Sequence, residues 1–162
     1  MKQWQHGFTL MELLVVMAMI AILAAVMVGN FTQTTLKARD TQRKSDMAQL
    51  QRALEAYNSD YGSYPLSAAG TIQGYAWGAP FAGADGTVYM SQLLNDKKQP
   101  SIQFRYETDD LGKKYQIMTY LENPQDTQIT TDPNITGRFC GTDFQCNYAI
   151  SSSNTTMSEV LN

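Results

Sequence analysis

The chain has 162 residues, with 12 Lys and Arg against 15 Asp and Glu, a formal net charge of −3. That length suits one domain with an appendage, and the mild acidity argues against a dedicated nucleic-acid binder, which carries a strong basic excess. Two cysteines exclude a disulfide-dense scaffold and a four-cysteine zinc site. A single histidine, His6, leaves no histidine cluster for a metal and little room for histidine-based catalysis. Charge is also unevenly spread: residues 1–34 hold only Lys2 and Glu12, and the other 25 charged side chains follow Thr34.

The first element is apolar. Phe8 to Val28 reads FTLMELLVVMAMIAILAAVMV, 21 residues in which Thr9 is the one neutral polar side chain and Glu12 the one charge. About 20 apolar residues are needed for a helix to span a bilayer. A secretory signal peptide has a shorter apolar core, about 7–15 residues, and a small-residue cleavage site that Ala24-Ala25 imitates only loosely. An ordinary signal anchor is the other plain reading. Glu12 fits neither, because a carboxylate in the membrane costs roughly 2.5–3.5 kcal/mol at the centre, less near one end, and calls for a cationic partner. No lysine or arginine lies within the run.

The order Gly7, Phe8, Thr9, Leu10, Met11, Glu12, after the polar leader MKQWQHG, resembles the class III signal of type IV prepilins and type II secretion pseudopilins. The resemblance implies cleavage between Gly7 and Phe8 by a membrane-embedded prepilin peptidase, which also methylates the new amine of Phe8. It implies that Glu12, with Thr9 beside it, serves assembly, the carboxylate pairing with the N-terminal amine of a neighbouring subunit. The motif covers residues 1–28 and identifies a processing and assembly class, not the task of the remaining residues. Flanking charge disagrees with it: Lys37, Arg39, Arg43 and Lys44 after the run outnumber Lys2 before it, and simple counting places the C-terminal side in the cytoplasm. The resemblance implies the opposite, a single-pass inner-membrane precursor with its head outside.

Beyond Asn30 no proline interrupts the chain before Pro65, and one helix is expected from about Phe8 to Asp60, roughly 80 Å long at 1.5 Å per residue. Met47, Leu50, Leu54, Tyr57 and Tyr61 recur at helical spacing and form the expected packing stripe against the head. Gly62 is the stop signal. Residues 30–46 read as polar all round, held by Asp40–Lys44 and Arg43–Asp46 pairs. Gly29 is either a plain boundary residue or the helix breaker that pilins often carry nearby. Residues 37–52 hold five basic and two acidic side chains, and residues 53–162 six basic and twelve acidic. A basic stem facing the acidic head of another subunit is one expectation from that split.

Residues 62–101 read as a long irregular αβ loop wrapping the head, with Val88–Leu94 a short helix or strand. Strands are expected at Ile102–Glu107 and Lys114–Glu122, joined by a turn, with a third at Cys146–Ile150. In the second, Tyr115, Ile117, Thr119 and Leu121 alternate with Gln116, Met118, Tyr120 and Glu122. The expected fold is therefore α+β and pilin-like: leader 1–7, assembly helix 8–29, helical stem 30–61 and head 62–162, with a β-sheet over 102–150 and a tail over 151–162. Cys140 and Cys146 read as a disulfide on an oxidising side. Asp126 and Asp132, like Asp109 and Asp110, are weak calcium candidates that turn chemistry explains equally well. No other cofactor is expected.

The function expected from this is structural: a subunit of a type IV pilus-like filament, self-associating through its apolar helix, with other pilins and an inner-membrane assembly platform as partners. The alternative is a major or minor pseudopilin of a type II secretion system. The disulfide leans towards a pilin and the compact head with an acidic loop towards a pseudopilin. A membrane-anchored enzyme lacks any Gly-rich phosphate loop, paired-carboxylate motif or nucleophile elbow to support it. A membrane-anchored binding protein with an exposed aromatic surface is the reading from another class.

Overall fold

The computed structural model describes residues 7–156, 159 and 161, with the side chains of 26–30 left aside. The expected leader therefore lies outside the described residues except for Gly7. The chain comprises two compact units, Met1–Ala38 and Arg39–Asn162.

Helix α1 runs unbroken from Leu10 to Tyr61, 52 residues that include Gly29. It stops where Gly62 takes a φ of +70°, a left-handed conformation open to a residue without Cβ, and donates its amide to Asn58 at 2.8 Å. In the first unit the helix presents large apolar side chains to the outside from Leu10 to Leu23, preceded by Phe8 at 88 % exposure. Among the described residues no helix is long and apolar enough to cross a membrane. The expected span, Phe8–Val28, runs into side chains outside the described ones.

In the second unit the stem carries the core. Met47, Leu50, Ala53 and Leu54 are buried against Tyr64, Ile72, Phe81, Leu93, Phe104, Tyr106, Tyr115, Ile117 and Tyr148. Tyr57 is half-buried there, stacked between Phe81 and Tyr61, while Tyr61 remains exposed at the end of the stripe. The loop after the helix contains two small hairpins, β1 (Ser67–Ala68) with β2 (Thr71–Ile72) and β3 (Phe81–Ala82) with β4 (Val88–Met90). It is tied to the stem by tyrosine hydroxyls: Tyr61 donates to Asp85 at 2.9 Å, and Tyr89 to Asp60 at 2.7 Å.

The main sheet is antiparallel, in the order β5 (Arg105–Thr108), β6 (Tyr115–Thr119), β7 (Tyr148–Ser151), with a single turn of helix α2 (Pro133–Thr136) between β6 and β7. Its strands are shorter than the sequence suggests. The β5–β6 turn needs Gly112, because a Cβ there would stand 2.5 Å from the Tyr64 carbonyl, which belongs to a residue whose amide donates to Gly112 O. The expected alternation of buried and open positions fails in β6, where all five residues are buried. Tyr115 and Ile117 belong to the stem-side cluster, and Met118 joins Ile135, Cys140, Cys146 and Ala149 in a second cluster on the opposite face. Gln116, on that second face, donates to the carbonyls of Thr156 and Glu159 in the C-terminal segment. Both faces of the strand are therefore covered, which alternation alone cannot reveal.

Candidate functional site

The N-terminal motif is a helix start. Glu12 donates its amide to Thr9 Oγ1 at 3.2 Å, and Glu12 Oε2 accepts from the Thr9 amide at 2.9 Å and the Thr9 hydroxyl at 3.0 Å. This reciprocal pair is a capping box: the residue before the first helical turn and the residue three further on satisfy one another's amides. The Thr-x-x-Glu spacing before an apolar run is its sequence signature, and the reading of the run as an assembly helix passed over it. Both Thr9 donors converge on Oε2, and Oε1 receives none of the described hydrogen bonds. Gly7 and Phe8 lie before the helix, and Phe8 is exposed.

The second constellation lies where the stem meets the head. Arg43 is 3 % exposed and Asp40 1 %. Arg43 donates through Nε to Asp96 at 2.5 Å and through Nη1 to Asp40 at 2.7 Å and Glu122 at 3.0 Å. Glu122 also accepts from Arg39 at 2.6 Å and from Lys98. The Asp40 carboxylate accepts the backbone amides of Glu122 at 3.0 Å and Asn123 at 2.7 Å. Three cations thus face three carboxylates with their charges balanced. Burial alone would raise the Glu122 pKa, but hydrogen bonds from Arg39, Lys98 and Arg43 outweigh it and bring it down to about 2. Burial likewise works against charge on Arg43, and its contacts with Asp96, Glu122 and Asp40 nonetheless hold its pKa above the ordinary value.

These contacts correct the reading of residues 30–46. The expected Asp40–Lys44 and Arg43–Asp46 pairs do not form. Asp40 and Arg43 turn into the head, Asp46 accepts from Gln42, and Lys44 reaches Asp126 at 2.7 Å while lying over the Tyr148 ring. Packing therefore begins at Arg39, not Met47. The expectation that the basic stem faces another subunit's acids is corrected for Arg39, Arg43 and Lys44, whose partners belong to the same chain.

The calcium candidates are engaged elsewhere. Asp126 is held by Lys44 and by the Gln128 amide, and its pKa lies below the usual value through both. Asp132 caps α2 by accepting the Asn134 amide, and Asp109 accepts the amides of Lys113 and Lys114 across the hairpin turn. Among the described residues no group of three or more His, Cys, Asp or Glu is placed to hold a metal ion. Cys140 and Cys146 are joined as a buried disulfide, beside which Tyr120 stacks on Phe144 at 4.5 Å.

Comparison with known proteins bears on the N-terminal constellation. Residues 5–28 match the prokaryotic N-terminal methylation motif. The chain is 38 % identical over 69 residues to type II secretion system core protein G of Aeromonas hydrophila, covering 43 % of this chain and 48 % of that protein. It is 38 % identical over 66 residues to the core protein G of Escherichia coli K12, covering 41 % and 46 %. It is 41 % identical over 66 residues to the type IV wide pilus major component PilA4 of Thermus thermophilus, covering 41 % and 50 %. The matched part spans about half the length of these relatives, and no solved structure matches. A methylation motif, a long N-terminal helix and a small antiparallel head make the resemblance to the type IV pilins and type II secretion pseudopilins, first legible from Gly7 to Glu12, a finding about this chain.

Proposed function

We propose that the chain is a structural subunit, not an enzyme, made as a prepilin, cut between Gly7 and Phe8, methylated at the Phe8 amine and polymerised through its apolar helix. The observation that carries this reading is the methylation motif running directly into a helix whose apolar side chains from Leu10 to Leu23 are exposed among the described residues. In a membrane before assembly those side chains face lipid. In a filament they face copies of themselves, so the hydrophobic gain is small and packing with polar contacts decides. Glu12 supplies such a contact. Its Oε2 is satisfied by Thr9 within the chain, and its Oε1 is left for the ammonium of a neighbouring Phe8.

A pseudopilus in a type II secretion system is the second reading, favoured by the similarity to several core G proteins. The intact mass of the protein from membrane and sheared surface fractions tests both. Loss of residues 1–7 with gain of one methyl group supports prepilin processing. Presence in the sheared fraction supports a surface pilus, and confinement to membranes a pseudopilus. Cleavage after Ala25, or an intact leader, overturns the reading.

A further inference from the structure

On the sheet face that carries the disulfide, a cleft of about 260 Å³ is lined by residues that include Gly70, Thr71, Gln103, Arg105, Phe139 and Thr142. Phe139 is 56 % exposed at its wall. Beside it two guanidiniums share one carboxylate: Arg105 Nε donates to Glu107 Oε1 at 2.7 Å, and Arg138 Nε to both Glu107 oxygens at 3.0 Å. One positive charge is left over. The Nη atoms of both arginines take part in none of the described hydrogen bonds. The cleft therefore offers an aromatic wall and a forked cation on a head with an acidic excess.

The complement lies at the other end of the same hairpin. Leu111, at the β5–β6 turn, is 74 % exposed, more than any other large apolar side chain described in the head. Its neighbour Asp110 is exposed and has no hydrogen bond or ion pair among the described residues, unlike Asp109, which builds the turn. Arg105 opens β5 and the turn follows Thr108, about 10 Å further along at roughly 3.3 Å per residue. The tip cannot fold back into the cleft of its own chain.

We propose that the Asp110-Leu111 tip of one copy docks in the Arg105–Phe139 cleft of the next, Leu111 against the Phe139 ring and the Asp110 carboxylate on the unused guanidinium nitrogens of Arg105. The two surfaces differ, so the contact can repeat head-to-tail, and with the apolar helices bundled alongside it extends into an open filament. The area is small for a free-standing interface. It suffices once the apolar helices hold neighbouring heads together at high effective concentration. The inference rests on the filament reading above and adds to it a head contact with a direction.

The test places a benzophenone amino acid at position 139 of the full chain, in cells with its processing and assembly machinery. Exposure of Phe139 and the like-for-like aromatic keep folding intact. Illumination is expected to give covalent dimers and longer ladders, with the junction mapping by mass spectrometry to the peptide containing Leu111. Asp110→Lys is expected to lower adduct yield about tenfold, and Asp110→Glu to retain it. Processed, sheared filaments without these adducts overturn the contact and leave the filament reading standing. Adducts without filaments keep the contact and overturn that reading, and absence of both overturns both. Adducts mapping to another protein, or to another segment of this chain, also overturn the contact.

Discussion

Arg43 is buried with a full positive charge, and its surroundings decide what that means for stability. A buried ion pair is a weak source of net stability, because desolvation offsets attraction, but removing one partner strands the others. Arg43→Met is therefore expected to destabilise the head by about 3–5 kcal/mol, since Asp40 and Asp96 remain buried. Thermal unfolding of the detergent-solubilised chain checks this. Glu122 gives the pH dependence. Its folded pKa is depressed, so the unfolded chain binds the extra proton between the ordinary value of 4.5 and about 2. Its stabilisation is present above that window and is lost as pH falls through it, on the order of 3 kcal/mol in all. Unfolding measured at pH 5 and pH 2.5 should show the loss, and Glu122→Gln should flatten the difference. At the N-terminus, Thr9→Ala removes the hydroxyl half of the capping box at about 1 kcal/mol, read as faster amide exchange over residues 10–13. Glu12→Ala also removes the proposed contact with the neighbour, so filaments fail while leader removal continues.

At the scale of elements, the stem is where sequence was most legible. The spacing of Met47, Leu50 and Leu54 is a local signal, and Leu50→Ala is expected to cost about 2–5 kcal/mol, measurable as a lower Tm. The ionic junction was legible only in part. Asp40 and Arg43 are three residues apart on one helix, but Asp96 lies 53 residues from Arg43 and Glu122 79 residues away, and no periodicity joins such positions. The same limit explains β6: its alternation identifies a strand, while the second cover comes from the disulfide segment and the C-terminal stretch, both distant in sequence. The strand ends were overestimated because Ile102 and Leu121 are apolar and buried without belonging to the ladder. Cys140 and Cys146 close a short loop, so their loss should lower stability by about 2 kcal/mol by the chain-entropy model. A Cys140→Ser, Cys146→Ser double variant compared in the same unfolding assay checks that value.

For the whole molecule, the two units divide the labour of the proposed function. The first carries processing and the apolar surface; the second carries a stem welded to its head from Arg39 onward. Charge pairing within the second unit uses up Arg39, Arg43 and Lys44, so in the proposed filament electrostatic selection between copies is expected to fall to groups such as Asp110 and Arg105 at the cleft. Raising salt is then expected to weaken contacts between heads more than the head itself, whose ionic junction is largely shielded from water. Turbidity or sedimentation of sheared filaments across a salt series, set beside the Tm of the subunit, separates the two.

The capping box also sets the backbone at the proposed cleavage site. Thr9 ends the helix two residues beyond Gly7, so the bond from Gly7 to Phe8 lies in non-helical backbone. A protease reads its substrate as an open strand, and a helix would have to unwind before being cut. Here Gly7 and Phe8 already stand clear of the helix, and a chain cut as proposed would inherit a finished helix start. The proposed cleavage can therefore remove residues 1–7 without disturbing the first turn of α1.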